Sequence, residues 1–124
     1  MPSILRLQHV AVTIAAARLE EARAFYSGVL GLTETPRPPE AAGRPGIWYT
    51  FGSTELHIQA RDRVPVEPGE RHPALVVDDI AAWRQRLLDH GIDFKDQPAF
   101  FGRQRFFVWD PFGNQIELMT EGDT

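Results

Sequence analysis

Three histidines and one glutamate recur in this chain at spacings that suggest joint chemistry. His9 and His72 each open a strand-like run, HVAVTI at residues 9–14 and HPALVV at residues 72–77, so the second run repeats the first about half a chain later. His57 and Glu117 stand in a nearly equal relation, in ELHI and QIEL, near the far ends of the two halves so defined. Imidazole nitrogen and carboxylate oxygen suit one borderline divalent ion such as Zn, Ni, Fe, Mn or Co, and two His with one carboxylate leave positions open for a substrate. An ion so held would grip two neighbouring substrate oxygens and stabilise an enediolate or alkoxide as charge develops. Glu117 is the candidate catalytic carboxylate.

Side-chain parity strengthens the grouping. Alternate residues of a strand face opposite sides, and His57 lies between Leu56 and Ile58 as Glu117 lies between Ile116 and Leu118. His9 precedes Val10, Val12 and Ile14, and His72 precedes the series Leu75 and Val77. The apolar parity is expected beneath helices, and the four polar groups on the opposite, concave face of a curved sheet. Singly, each His would be read as a hydrogen-bonded structural residue. Shared repeat position and parity set these apart from His90, whose place at the end of a helix suits the helix dipole.

Positioning these groups requires two similar modules. Residues 4–14 read as a strand, 15–30 as an amphipathic helix with Leu19, Ala22, Phe25, Tyr26, Val29 and Leu30 on one side, and 32–35 as a short strand. A Pro- and Gly-rich passage over residues 36–46 is expected to be a loop and a candidate lid. Strands IWYTF and ELHIQ follow as a hairpin. After a second Pro/Gly-containing loop, residues 61–71, the order repeats: strand, a helix over 80–90 capped by Asp78 or Asp79 with Ile80, Trp83, Leu87 and Leu88 inward, a short segment at 92–95, a turn region at 97–102, then RFFVWD and NQIELM joined by Pro111-Phe112-Gly113. The expected fold is α+β: one domain, residues 1–124, of two βαβββ modules, residues 4–62 and 71–120, forming a curved mixed sheet. Trp48, Phe101, Phe107 and Trp109 are candidate substrate walls, and Arg105 a candidate partner for a substrate anion.

Composition narrows the function. The 124 residues include no Cys, which removes disulfides, thiolate metal sites and cysteine nucleophiles. Thirteen basic residues against seventeen acidic ones give a net charge of −4, which argues against nucleic-acid or anionic-membrane partners and for a small-molecule substrate. No export signal or membrane-spanning run is visible, and a cytoplasmic location is expected. Phosphate loops, dinucleotide fingerprints and GxSxG elbows are absent from the sequence.

The segments LQHVAVTI, LEEARAFYSGVLGL, HPALVVDDI and FFVWDPFGNQIEL together resemble the vicinal oxygen chelate superfamily over residues 5–120. That group includes glyoxalase I, bleomycin-resistance and fosfomycin-resistance proteins, methylmalonyl-coenzyme A epimerase and extradiol dioxygenases. The resemblance implies paired βαβββ modules curving into a cup and usually completed by a second copy as a homodimer, sometimes with modules exchanged. It places His9, His72 and Glu117 at metal-ligand positions, and His57 where glyoxalase I-like members usually carry Glu. The implied activity is that of a metal-dependent, glyoxalase-like lyase or isomerase on a small oxygen-rich substrate. A metal-free, bleomycin-resistance-like binding protein and an extradiol-type dioxygenase are the alternatives.

Overall fold

The computed structural model describes residues 3–41, 43–63, 72–100 and 102–121. The chain divides into two compact units, Met1–Pro65 and Val66–Thr124. The first contains β1 (His9–Ala15), a 3-10 turn (Ala16–Arg18), α1 (Leu19–Arg23), a π-helical turn (Ala24–Val29), β2 (Thr33–Thr35), a second 3-10 turn (Pro39–Ala41), β3 (Gly46–Phe51) and β4 (Thr54–Arg61). The second contains β5 (Ala74–Val76), α2 (Ile80–Asp89), β6 (Phe94–Phe100), β7 (Arg103–Trp109) and β8 (Gln115–Met119). Strand order is β1-β4-β3-β2 in one sheet and β5-β8-β7-β6 in the other. In each, the first and last strands pair in parallel and the others antiparallel, the mixed α+β arrangement expected from the sequence.

Register carries the repeat down to single residues. His57 pairs with Ala11 of β1 and Trp48 of β3. Glu117 pairs with Ala74 of β5 and Phe107 of β7. Alternation then separates two faces. Leu56, Ile58 and Ala60 of β4 are buried with Ile14, Ile47 and Tyr49, while Phe106, Val108, Ile116 and Leu118 form the equivalent core of the second unit. His57 and Glu117 lie on the other parity, yet are only 7% and 5% exposed. That face is therefore covered as well, by polar and aromatic side chains.

The first helical segment departs from the single α-helix expected over residues 15–30. Its second half winds wider, and Leu30 N–H donates to Phe25 O at 2.9 Å, five residues back. The wide turn buries two adjacent pairs, Phe25 with Tyr26 and Val29 with Leu30, which a regular α-helix would splay by about 100° per residue. Gly31, at φ +69°, ends it. In α2, Asp79 rather than Asp78 is the cap, accepting from Ala82 N–H at 3.0 Å. The helix stops at Gly91 (φ +69°), where Gly91 and Ile92 donate to Leu88 and Leu87 carbonyls at 3.0 and 2.8 Å. Ile80 and Leu87 are buried, but Leu88 is exposed, because it lies about 80° round the helix from Ile80.

Other boundaries also differ from the sequence reading. The first strand starts at His9, not residue 4, and Ile4, Leu5 and Leu7 are exposed. The strand expected over 72–77 is limited to Ala74–Val76. The turn expected near 97–102 is mostly strand, since β6 continues to Phe100. Pro98 is tolerated there because β6 is an edge strand whose register shifts between Gln97 and Phe100. In the Pro111-Phe112-Gly113 turn, buried Asp110 accepts from the backbone N–H groups of Phe112 and Asn114 and from Asn114 Nδ2, each at 2.8 Å. Among the described residues no helix is long and apolar enough to cross a membrane.

The loop before β3 is tied down, and Arg37 does much of the tying. Its guanidinium donates to the carbonyls of Ala41 (2.7 Å), Gly46 (3.2 Å) and Arg44. At Gly46 a Cβ would collide with the carbonyl oxygen of Ile58, so only glycine lets β3 enter this close to β4. Gly46→Ala is expected to lower unfolding free energy by about 1–3 kcal/mol in urea titrations, the usual cost of overpacking where backbone must move.

Candidate functional site

Three predicted site residues come together in the first unit. Trp48 stacks flat on His57 (centroids 4.0 Å apart, planes 2° apart), and His9 stacks on His57 as well (4.2 Å, 11°). The register explains the contact: Trp48 is directly opposite His57, and the small Ala11 on the other side leaves room over the imidazole. His57 Nε2 lies 2.8 Å from Glu55 Oε1, and His9 Nδ1 lies 2.6 Å from Gln8 Oε1. Hydrogen bonds from His57 and then Gln8 hold the Glu55 carboxyl below the usual carboxylate range. As Glu55 stays anionic at neutral pH, His57 donates to it from Nε2–H. His9 donates from Nδ1–H to the amide oxygen of Gln8.

The second unit gathers a different set. His72 Nε2 and Glu117 Oε2 are 2.9 Å apart, and Arg105 Nη1 donates to Glu117 Oε1 at 3.1 Å. Gln115 Nε2 lies 3.2 Å from His72 Nδ1. An amide presents both a donor and an acceptor at its end, so Gln115 can serve either tautomer of His72. Arg105 is held in turn by Pro98 O (3.1 Å from Nε) and by the rings of Phe100 and Phe107, 5.6 and 5.8 Å from its Cζ. Phe107 also meets the His72 ring at 5.1 Å and Trp109 at 6.3 Å. Thus Arg105, read from sequence as a substrate contact, is engaged with the candidate catalytic carboxylate. Phe101 lies outside the described residues, and His90 is exposed at the end of α2.

Whether these donors fit an ion depends on chemistry and grouping. Glu117 and His72 present oxygen and nitrogen 2.9 Å apart, close to the ~3 Å between adjacent ligands at right angles when each bond is about 2.1 Å. Their outer partners, Arg105 and Gln115, orient them as outer groups orient metal ligands. The chemistry of this pair fits a divalent ion. Among the described residues, however, no group of three or more His, Asp or Glu side chains is arranged to hold one.

The sequence reading did not single out Gln8, Glu55 or Gln115. Glu55 and Gln115 precede His57 and Glu117 by two positions on the same strand face, so they too are equivalent under the repeat. The same parity and offset that select the candidate ligands would have selected these neighbours.

A profile of the Glyoxalase/Bleomycin resistance protein/Dioxygenase superfamily matches residues 6–118. The chain belongs to this superfamily. Among solved structures of this fold, a glyoxalase family protein from Bacillus anthracis is 38% identical, with 98% of each chain covered and a TM-score of 0.88. A lactoylglutathione lyase from Agrobacterium tumefaciens is 22% identical over 97% of this chain and 95% of its own, with TM-score 0.71. A fosfomycin resistance protein from Listeria monocytogenes is 17% identical over 98% and 95%, also with TM-score 0.71. These last two likenesses establish the fold alone. No curated protein matches the chain.

Within this superfamily member, the Arg105–Glu117 pair should be energetically coupled, since Glu117 is nearly buried and needs a charged donor. Arg105→Gln is expected to destabilise the protein by about 2 kcal/mol, and by less than half as much in a Glu117→Gln background. A double-mutant cycle by urea denaturation measures this.

Proposed function

We propose that the protein is a divalent-metal-dependent enzyme of lyase or isomerase type, acting on a small oxygen-rich substrate, with His9, His57, His72 and Glu117 as its ligand set. The observation that carries this reading is the His72–Glu117 pair, a nearly buried carboxylate beside an imidazole, each held by its own polar partner. Burying a carboxylate costs several kcal/mol unless it is compensated, and nothing in the adjacent core requires one there. Bound there, the ion would supply Lewis acidity for charge developing on substrate oxygen.

The remaining steps fall to this chain's own groups. Arg105 holds Oε1 of Glu117 and His72 meets Oε2, so both partners orient the carboxylate for its proposed part in ion binding and proton transfer. Gln115 steadies His72 from its Nδ1 side. Phe107 and Trp109 flank the His72–Glu117 pair in the second unit and Trp48 covers His57 in the first, restricting water around each. The protein is proposed to act as a homodimer, in keeping with the many dimers of its superfamily.

A metal-free binding protein is the second reading, favoured by the Trp48–His57–His9 stack and by the absence of a three-donor cluster among the described residues. Titrating chelator-stripped protein with Zn, Ni, Mn or Co, and with Fe(II) without oxygen, separates the two. The enzyme reading expects about one ion per chain and, at a hundredfold excess over Kd, stabilisation of about 2.7 kcal/mol. His72→Ala and Glu117→Gln should each weaken binding by at least about tenfold. No ion binding, with small-molecule binding unaffected by chelation, establishes the second reading instead.

A further inference from the structure

The first unit holds a cavity of ≈ 590 Å³ along the polar face of β4, between Trp48 and His57 on one side and the loop before β3 on the other. Its volume lies in the range of small-molecule sites. Two of its cations, Arg44 and Arg61, stand in an unusual relation. Gly46 pairs with Gln59, and Ala60 N–H donates to Pro45 O at 3.2 Å, so the antiparallel register continues past the end of β3. Arg44 immediately precedes Pro45 and Arg61 immediately follows Ala60, so the two backbones are neighbours at this end of the cavity and both residues line it. Two cations gathered at one end of a cavity repel each other.

Among the described residues, no carboxylate relieves the pair. The arginine–carboxylate pairs among the described residues of this unit join Arg18 to Glu21 and Arg23 to Glu20 and Glu34. Of the two glutamates lining the cavity, Glu55 is committed to His57, and Glu40 makes no ion pair among the described residues. Arg61 spends one nitrogen on Ala60 O. The third cation, Arg37, is turned to the carbonyls that close the loop, so it fixes the wall that carries Arg44. Parity places Arg61 on the same face of β4 as His57, four residues or roughly 13 Å along the strand.

We propose that Arg44 and Arg61 clamp an anionic group, carboxylate or phosphate, of a small molecule whose body lies in the cavity beside the Trp48–His57 stack. Guanidinium groups bind both anions through paired, charge-assisted hydrogen bonds, and an anion between them removes their mutual repulsion. This deepens the functional reading above by naming a substrate class, one with an acidic arm distant from its reacting oxygens. The clamp itself requires no metal.

The test uses full-length protein stripped with chelator, so it can fail independently of metal binding. Calorimetric titration with 3-phenylpropanoate, phenyl phosphate and the neutral 3-phenylpropanamide reads the charge requirement. At least one anion is expected to bind about tenfold or more tighter than the amide, and the tighter of the two identifies the arm as carboxylate or phosphate. Raising the salt concentration should weaken anion binding but not amide binding. Arg44→Gln and Arg61→Gln should each weaken anion binding by about tenfold, and neither should lower the melting temperature of ligand-free protein, because each removes a repulsion. Amide binding as tight as anion binding, anion affinity unchanged in both variants, or no anion binding up to about 10 mM would overturn the proposal.

Discussion

Parallel pairing between the first and last strand of each module is the constraint from which the rest follows. It fixes which residues stand beside β4 and β8, and with them which neighbours His57 and Glu117 acquire. In both units an alanine, Ala11 or Ala74, is the parallel neighbour, and a large aromatic residue, Trp48 or Phe107, is the antiparallel one. A shift of one residue would turn each polar side chain into the aliphatic core and carry Leu56 or Ile116 to the polar face. Burial of those aliphatic residues therefore enforces the geometry of the polar groups.

The two modules use one frame for opposite electrostatics. At the central position of β4 an imidazole is flattened between two rings and tied to a carboxylate two residues earlier. At the same position of β8 a carboxylate is tied to an imidazole and a guanidinium. Glu55 in the first frame is Gln115 in the second, so the acidic group has exchanged places along the strand. Each arrangement is internally satisfied, which is why side chains so little exposed tolerate their polarity.

Most of this plan was legible because it rests on period-two alternation and a repeat, both properties of the sequence string. The offset from His9 to His72 and that from His57 to Glu117 reappear in the sheets, where Ala11 and Ala74 flank the two equivalent central positions. Glycine stops and the Asp79 cap were visible for the same local reason. Less legible were features decided by tertiary packing. The wide turn that buries Phe25 with Tyr26 obeys no simple period, and the exposed Ile4, Leu5 and Leu7 look like strand residues without pairing as one. Pro98 signalled a turn but lies in an edge strand, where its missing N–H is tolerated. The partners of the candidate ligands were hidden for another reason: Gln8 and Gln115 carry no chemistry of their own and acquire a role only from proximity.

The short β2 and the kinked, proline-bearing β6 have one more consequence. Both are outer edges of their sheets, and brevity in one and a register shift in the other make them poor templates for an incoming strand. Such blunted borders oppose uncontrolled aggregation. Of the opposite borders, β5 is as short as β2, whereas β1 runs for seven residues, so orderly growth of a sheet would most readily begin at β1.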